Sequence, residues 1–151
     1  MLSGCGFRLR PQSDLSLHPV YVQAGALSEI KQALEERLSY TKHLSTTAEN
    51  ARVIVHIISE ERDRTTISYS AAAQAREFQL TYQVSFAITA PSQQHDFSKT
   101  QTAKLKRSLV KDDFSALAKE HEEALLFEDM THQMADHIVR ALASLPVHPL
   151  E

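Results

Sequence analysis

The chain has 151 residues, 42% of them hydrophobic and 23% charged, with a net charge of −3. That length suits one domain with a substantial core, and the acidic balance excludes a general nucleic-acid binder, which needs a basic surplus to displace counterions from phosphates. Three glycines, Gly4, Gly6 and Gly25, and no tryptophan exclude a glycine-rich phosphate cradle or dinucleotide fingerprint; no apolar run approaches the roughly 18 residues of a membrane-spanning helix.

Leu2-Ser3-Gly4-Cys5 is the pattern that a bacterial lipoprotein signal peptidase cuts before its cysteine. The thiolate of Cys5 would then be the nucleophile that takes a diacylglyceryl group. Cys5 is the one cysteine in the chain, so no disulfide partner exists within it. The same four residues also fit an ordinary free cysteine in an N-terminal tail. A basic and then apolar stretch upstream of Leu2 is the expected remainder of a secretory signal. Residues 8–18 are polar and contain Pro11, so residues 1–18 are expected to be a lipobox remnant and tether, residues 19–146 a single folded domain, and residues 147–151 a frayed tail.

Pro19-Val20-Tyr21-Val22 reads as a short strand, with proline at its start as strand geometry permits. Over residues 27–39, Leu27, Ile30, Leu34 and Leu38 recur at three- and four-residue intervals, the stripe of an amphipathic helix that Ser28 could cap. A short strand is expected around residues 42–44. The β-branched run of residues 52–59 fits a central strand, and residues 65–69 suggest that it continues past the core. Ala71-Ala72-Ala73 takes the turn.

Phe78, Leu80, Tyr82, Val84, Phe86 and Ile88 alternate with polar residues, the period-2 signature of a half-buried strand. Residues 91–96 are expected to turn. Residues 99–110 then return as an antiparallel partner, with Ala103, Leu105, Arg107 and Leu109 on one face and Lys104 and Lys106 on the other. After Lys111-Asp112-Asp113, a long helix carries Leu126, Phe127, Met130, Met134, Ile138, Leu142 and Leu145 as one stripe until Pro146. The sum is an α+β two-layer sandwich, two helices packed on one face of a mostly antiparallel four-stranded sheet.

Eight histidines do not form a metal motif. His121-Glu122 lacks the second histidine of a zincin, and His132 and His137 lie five apart, on different helix faces. No serine sits in a nucleophile elbow, so neither a catalytic site nor a cofactor is expected. Lys104 and Lys106 read first as solvated edge-strand lysines that block aggregation. The competing reading, a free-standing periplasmic lipoprotein, would use Lys104, Lys106 and Arg107 to hold a small anionic lipid or ligand.

Four features in order resemble the LPS-assembly lipoprotein family LptE of Gram-negative outer membranes. They are Gly4-Cys5-Gly6-Phe7-Arg8-Leu9-Arg10, the strand start Glu77-Phe78-Gln79, the returning strand's Lys106-Arg107-Ser108, and Ala116-Leu117-Ala118-Lys119 before the long helix. The resemblance implies a non-enzymatic outer-membrane protein, lipid-anchored on the periplasmic side through Cys5. It implies a plug inside the β-barrel partner LptD that assists assembly of that barrel and binds lipopolysaccharide. The family's lipopolysaccharide-contacting lysine falls on Lys119, and Lys104, Lys106 and Arg107 are expected to bind lipopolysaccharide with it. A second basic residue of the family falls on Ala71–Ala73, where it is absent, and Arg76 is the nearest substitute. Gly6 after the cysteine, where inner-membrane retention is associated with aspartate, agrees with outer-membrane delivery.

Overall fold

Strand β1 (Val20–Gln23) and strand β2 (Val53–Tyr69) run parallel, with Val20 beside Val53 and Gln23 beside His56. A parallel pair needs a crossover, and helix α1 (Glu29–Tyr40) is that connection. Strand β3 (Ala75–Thr89) returns antiparallel to β2, and β4 (Gln101–Val110) antiparallel to β3, giving the order β1-β2-β3-β4. Helix α2 (Ala116–Ala143) closes the chain and packs beside α1. The computed structural model describes residues 19–90, 99–111 and 116–145; the expected turn at residues 91–96 and Pro146 lie outside them.

The core lies between the helices and one face of the sheet. Ile30, Ala33, Leu34 and Leu38 of α1 and Phe127, Met130, Met134, Ala135, Ile138 and Leu142 of α2 are buried there. They meet Val53 and Val55 of β2, the alternating Phe78 to Ile88 of β3, and Leu109 of β4. Burying such side chains contributes about 1.5–3 kcal/mol each. The expected sandwich is therefore the observed one. Leu27 departs from its expected place: it is 95% exposed, because Ser28 caps α1 and leaves Leu27 outside the helix. Ala33 occupies the buried stripe instead.

Both ends of α1 are tied down. Ser28 Oγ accepts from Lys31 N at 3.2 Å, and Glu60 of β2 reaches Ile30 N at 3.2 Å, so two of the orphan N–H groups of the first turn are satisfied. At the other end His43 N donates to Leu38 O and Lys42 N to Ser39 O, a Schellman pair closed by Lys42 at φ 61. The expected strand near residues 42–44 shrinks to a single bridge, Val20 with Leu44.

One extra residue decides which side chains of β2 face the helices. Ile57 pairs with Phe86, but Ser59 pairs with Ser85, so Ile58 is a bulge, 57% exposed. Before it, odd-numbered residues point into the core. After it, even-numbered Glu60, Arg62 and Arg64 do, opposite Val84, Tyr82 and Leu80. The half of β2 beyond the bulge thus carries charge toward the helices.

Candidate functional site

The distal ends of β2, β3 and β4 and the first turns of α2 enclose a cleft of about 150 Å³. Its floor is Phe78 and Leu109, cross-strand neighbours that are 8% and 3% exposed. Arg64, delivered to this face by the bulge, lies with its guanidinium carbon 4.0 Å from the centroid of the Phe78 ring, a cation–π contact. The same guanidinium donates to Glu123 at 2.9 Å. Lys111 and Glu120 complete the rim.

Lys119 enters the cleft from α2. Its Nζ donates to the carbonyl of Val110 at 2.8 Å and to Glu122 at 2.9 Å, and its side chain is only 18% exposed. One turn of α2 is thereby pinned to the last residue of β4. Lys111 N donates to Arg76 O at 2.7 Å, which sets Arg76 beside Lys111 at the same end of the sheet. Arg64, Lys111 and Lys119 therefore gather around an apolar floor, while Arg76 is joined to that end of the sheet through its carbonyl and does not line the cleft. The Glu122 side of the pair is 49% exposed, where water screens the attraction and such pairs contribute little, roughly 0–1 kcal/mol, so an incoming anion can replace the carboxylate at small cost. An amphiphile with anionic groups beside acyl chains suits both parts.

The remaining basic candidates go elsewhere. Lys104 and Lys106 stand opposite Gln83 and Thr81 on the face of the sheet away from the helices. Arg107, opposite Leu80, turns to the helix side, where it bonds Gln133 and approaches Asp129. The three thus do not line one pocket. Cys5 lies outside the described residues. Among the described residues, no group of three or more His, Asp or Glu converges as a metal site. No helix among them is long and apolar enough to cross a membrane.

Sequence reading singled out Lys119 and Arg76 but not Arg64, Lys111, Phe78 or Leu109 as site residues. The β3–β4 register would have paired Phe78 with Leu109. Arg64 had no such signal, because its direction depends on the bulge at Ile58.

A second groove runs between the helices, about 460 Å³ in volume and lined by Glu29, Glu128, Thr131 and His132. Arg62 forms its floor, 5.5 Å from the Tyr82 ring centroid and 5.0 Å from that of Phe127, and pairs with Glu29. These contacts are internal to the fold and brace the helices against β2.

The fold is that of a class of bacterial lipoprotein domains. A lipoprotein B from Nitrosomonas europaea, solved in solution, is 30% identical with a TM-score of 0.75, covering 92% of this chain and 91% of that one. The crystal structure of rare lipoprotein B from Shewanella oneidensis is 25% identical with a TM-score of 0.74, over 84% and 95% of the two chains. A minor lipoprotein from Acinetobacter baumannii shares the fold at 16% identity and a TM-score of 0.69, over 88% of this chain and 98% of that one. Comparison with curated proteins gives no match. The family profile of LptE, lipopolysaccharide-assembly, matches residues 17–142, and the chain belongs to that family. It is accordingly a non-enzymatic lipopolysaccharide-assembly lipoprotein of the outer membrane.

Proposed function

We propose that this protein is the lipid-anchored partner of the outer-membrane β-barrel LptD, seated in that barrel as a plug that assists its assembly, and that it binds lipopolysaccharide through the Lys119 cleft. The observation that carries the ligand reading is the meeting of Lys119 with Arg64 and Lys111 over Phe78 and Leu109. Phosphate groups would take charge-assisted hydrogen bonds from the rim, and an acyl chain would cover the two apolar side chains. The plug reading is supported by family membership and by the polar helix-free face of the sheet, on which Glu61, Gln83 and Lys104 form one row and Asp63, Thr81 and Lys106 another. The lumen of a membrane barrel is polar. Acylation at Cys5 would add membrane affinity of about 0.8 kcal/mol per buried CH₂.

The test is expression behind an outer-membrane lipoprotein signal in a Gram-negative host, followed by detergent extraction and purification through the chain. A stoichiometric barrel partner and a triacylated Cys5 peptide are expected. A monomer without a barrel would overturn the plug reading, and an unmodified Cys5 the anchor. Lipopolysaccharide binding is tested separately, through Lys119.

A further inference from the structure

β4 is an outer strand, with β3 on one side and, among the described residues, no strand on the other. The bond from Lys111 N to Arg76 O fixes the phase of the ladder. Leu109, Arg107, Leu105 and Ala103 then hold the bonded positions against β3. The main-chain groups of Thr102, Lys104, Lys106, Ser108 and Val110 point the other way, out of the sheet. Two contacts agree with that direction. The carbonyl of Lys106 accepts from the Arg107 guanidinium at 3.0 Å, and that of Val110 accepts from Lys119 at 2.8 Å. The other outward N–H and C=O groups between Thr102 and Ser108 have no hydrogen bond among the described residues. An unpaired row of this kind is a template for another strand.

The side chains decide which strand fits. Lys104 and Lys106 have neutral neighbours on β3, Gln83 and Thr81. The carboxylates in the same rows, Glu61 and Asp63, are a further strand away, roughly 10 Å from the lysines. On the opposite face Ala103 and Leu105 are half-buried and pack against the core. An added strand would place alternate side chains beside the lysines and the others beside Ala103 and Leu105. A second copy of β4 is disfavoured, because an antiparallel pair would set lysine against lysine.

We propose that residues 102–108 form a docking edge for an extended partner segment with carboxylates at alternate positions and apolar residues between them. The partner's N–H would take the Lys106 carbonyl from Arg107, which keeps its contacts with Gln133 and Asp129. This inference does not depend on the barrel or lipopolysaccharide reading, and it uses none of the cleft residues.

The probe is the capped peptide Thr-Glu-Val-Glu-Val-Glu-Thr added to isotope-labelled protein, read by amide hydrogen exchange. Lys104, Lys106 and Ser108 amides should gain at least about tenfold protection while Ala103, Leu105 and Arg107, already bonded to β3, stay as they were. A peptide with glutamine for glutamate should bind at least about tenfold more weakly, a comparison that leaves the protein untouched. The Lys104→Glu, Lys106→Glu double variant should lose the acidic peptide and gain its lysine counterpart. Protection without the even–odd alternation, or equal binding of the neutral peptide, would overturn the proposal. So would even-numbered amides already protected in the free protein, since the chain would then cover its own edge.

Discussion

The hydroxyl of Tyr82 donates to Glu60 at 2.7 Å, and that carboxylate is also the acceptor for Ser28 Oγ at 2.8 Å and Ile30 N at 3.2 Å. One side chain of β2 thereby joins the start of α1 to the centre of β3. Tyr82 is fully buried, so its hydroxyl has no water to turn to when Glu60 is removed, whereas Glu60 is only half-buried and keeps other donors when Tyr82 loses its hydroxyl. Tyr82→Phe is expected to cost about 1–2 kcal/mol and Glu60→Ala about 2–4 kcal/mol, the latter stripping three donors at once. Urea denaturation checks both, and equal costs for the two would show that the Ser28 and Ile30 contacts add nothing.

The same contact makes stability depend on alkaline pH. Burial first, and then the hydrogen bond to Glu60, push the Tyr82 hydroxyl well above its ordinary value of 10.0. A group whose folded pKa is raised gives stability that is complete below the unfolded pKa and is lost as pH rises through the window above it. Unfolded Tyr82 ionises above about pH 10 while the folded residue stays neutral, so roughly 1.4 kcal/mol is lost by pH 11. Denaturation at pH 9 and 11 should show this slope in the wild type and not in Tyr82→Phe, compared as a difference so that other titrations cancel.

Arg37 and Asp136 join the two helices through a two-pronged ion pair, Nε to Oδ1 at 2.6 Å and Nη2 to Oδ2 at 2.8 Å. The side chains are 50% and 38% exposed, which leaves water to screen the attraction. Asp136→Asn should therefore cost at most about 1 kcal/mol. Leu38, one residue from Arg37 and fully buried, should cost about 2–5 kcal/mol on replacement by Ala. If calorimetry ranks them the other way, the helices are held by charge and not by burial.

Lys42 closes α1 at φ 61, in the left-handed region where a side chain crowds its own backbone. The two hydrogen bonds that end the helix need that conformation. Lys42→Gly keeps both bonds and removes the crowding, offset in part by glycine's larger unfolded-state entropy. A net stabilisation of about 0.5–1 kcal/mol is expected in thermal or urea unfolding.

Periodicity located the elements because each strand and helix buries one face. The alternation from Phe78 to Ile88 and the helix stripe ending at Leu142 are direct imprints of the core. The sequence also marked Lys119 through its family context. Periodicity could not show the bulge, since Ile57-Ile58 reads equally as continuous central strand. That one residue reverses which side chains of β2 face the helices, and it is why nothing in the sequence marks Glu60, Arg62 and Arg64 as turned toward them. The separation of Arg107 from Lys104 and Lys106, by contrast, followed from simple alternation.

Lys119 distinguishes the cleft from the rest of the basic surface. Its ammonium sits 2.8 Å from the Val110 carbonyl and 2.9 Å from Glu122, held at the mouth of the cleft before any ligand arrives. Pre-placement spares the ordering entropy that a free lysine would lose on binding. A charge-assisted hydrogen bond is worth about 1.5–3 kcal/mol, so Lys119→Ala should weaken lipopolysaccharide binding by roughly 10- to 100-fold. The fold should lose only about 1–2 kcal/mol, because the contacts removed are one hydrogen bond to the Val110 carbonyl and a pair with the half-exposed Glu122. Arg64→Ala should weaken binding similarly while also uncovering Phe78, and the Lys104→Ala, Lys106→Ala variant should bind as the wild type does. Titration of each purified variant with lipopolysaccharide at fixed ionic strength reads this order. Binding that survives Lys119→Ala and fails in the Lys104→Ala, Lys106→Ala variant would move the site to the helix-free face of the sheet.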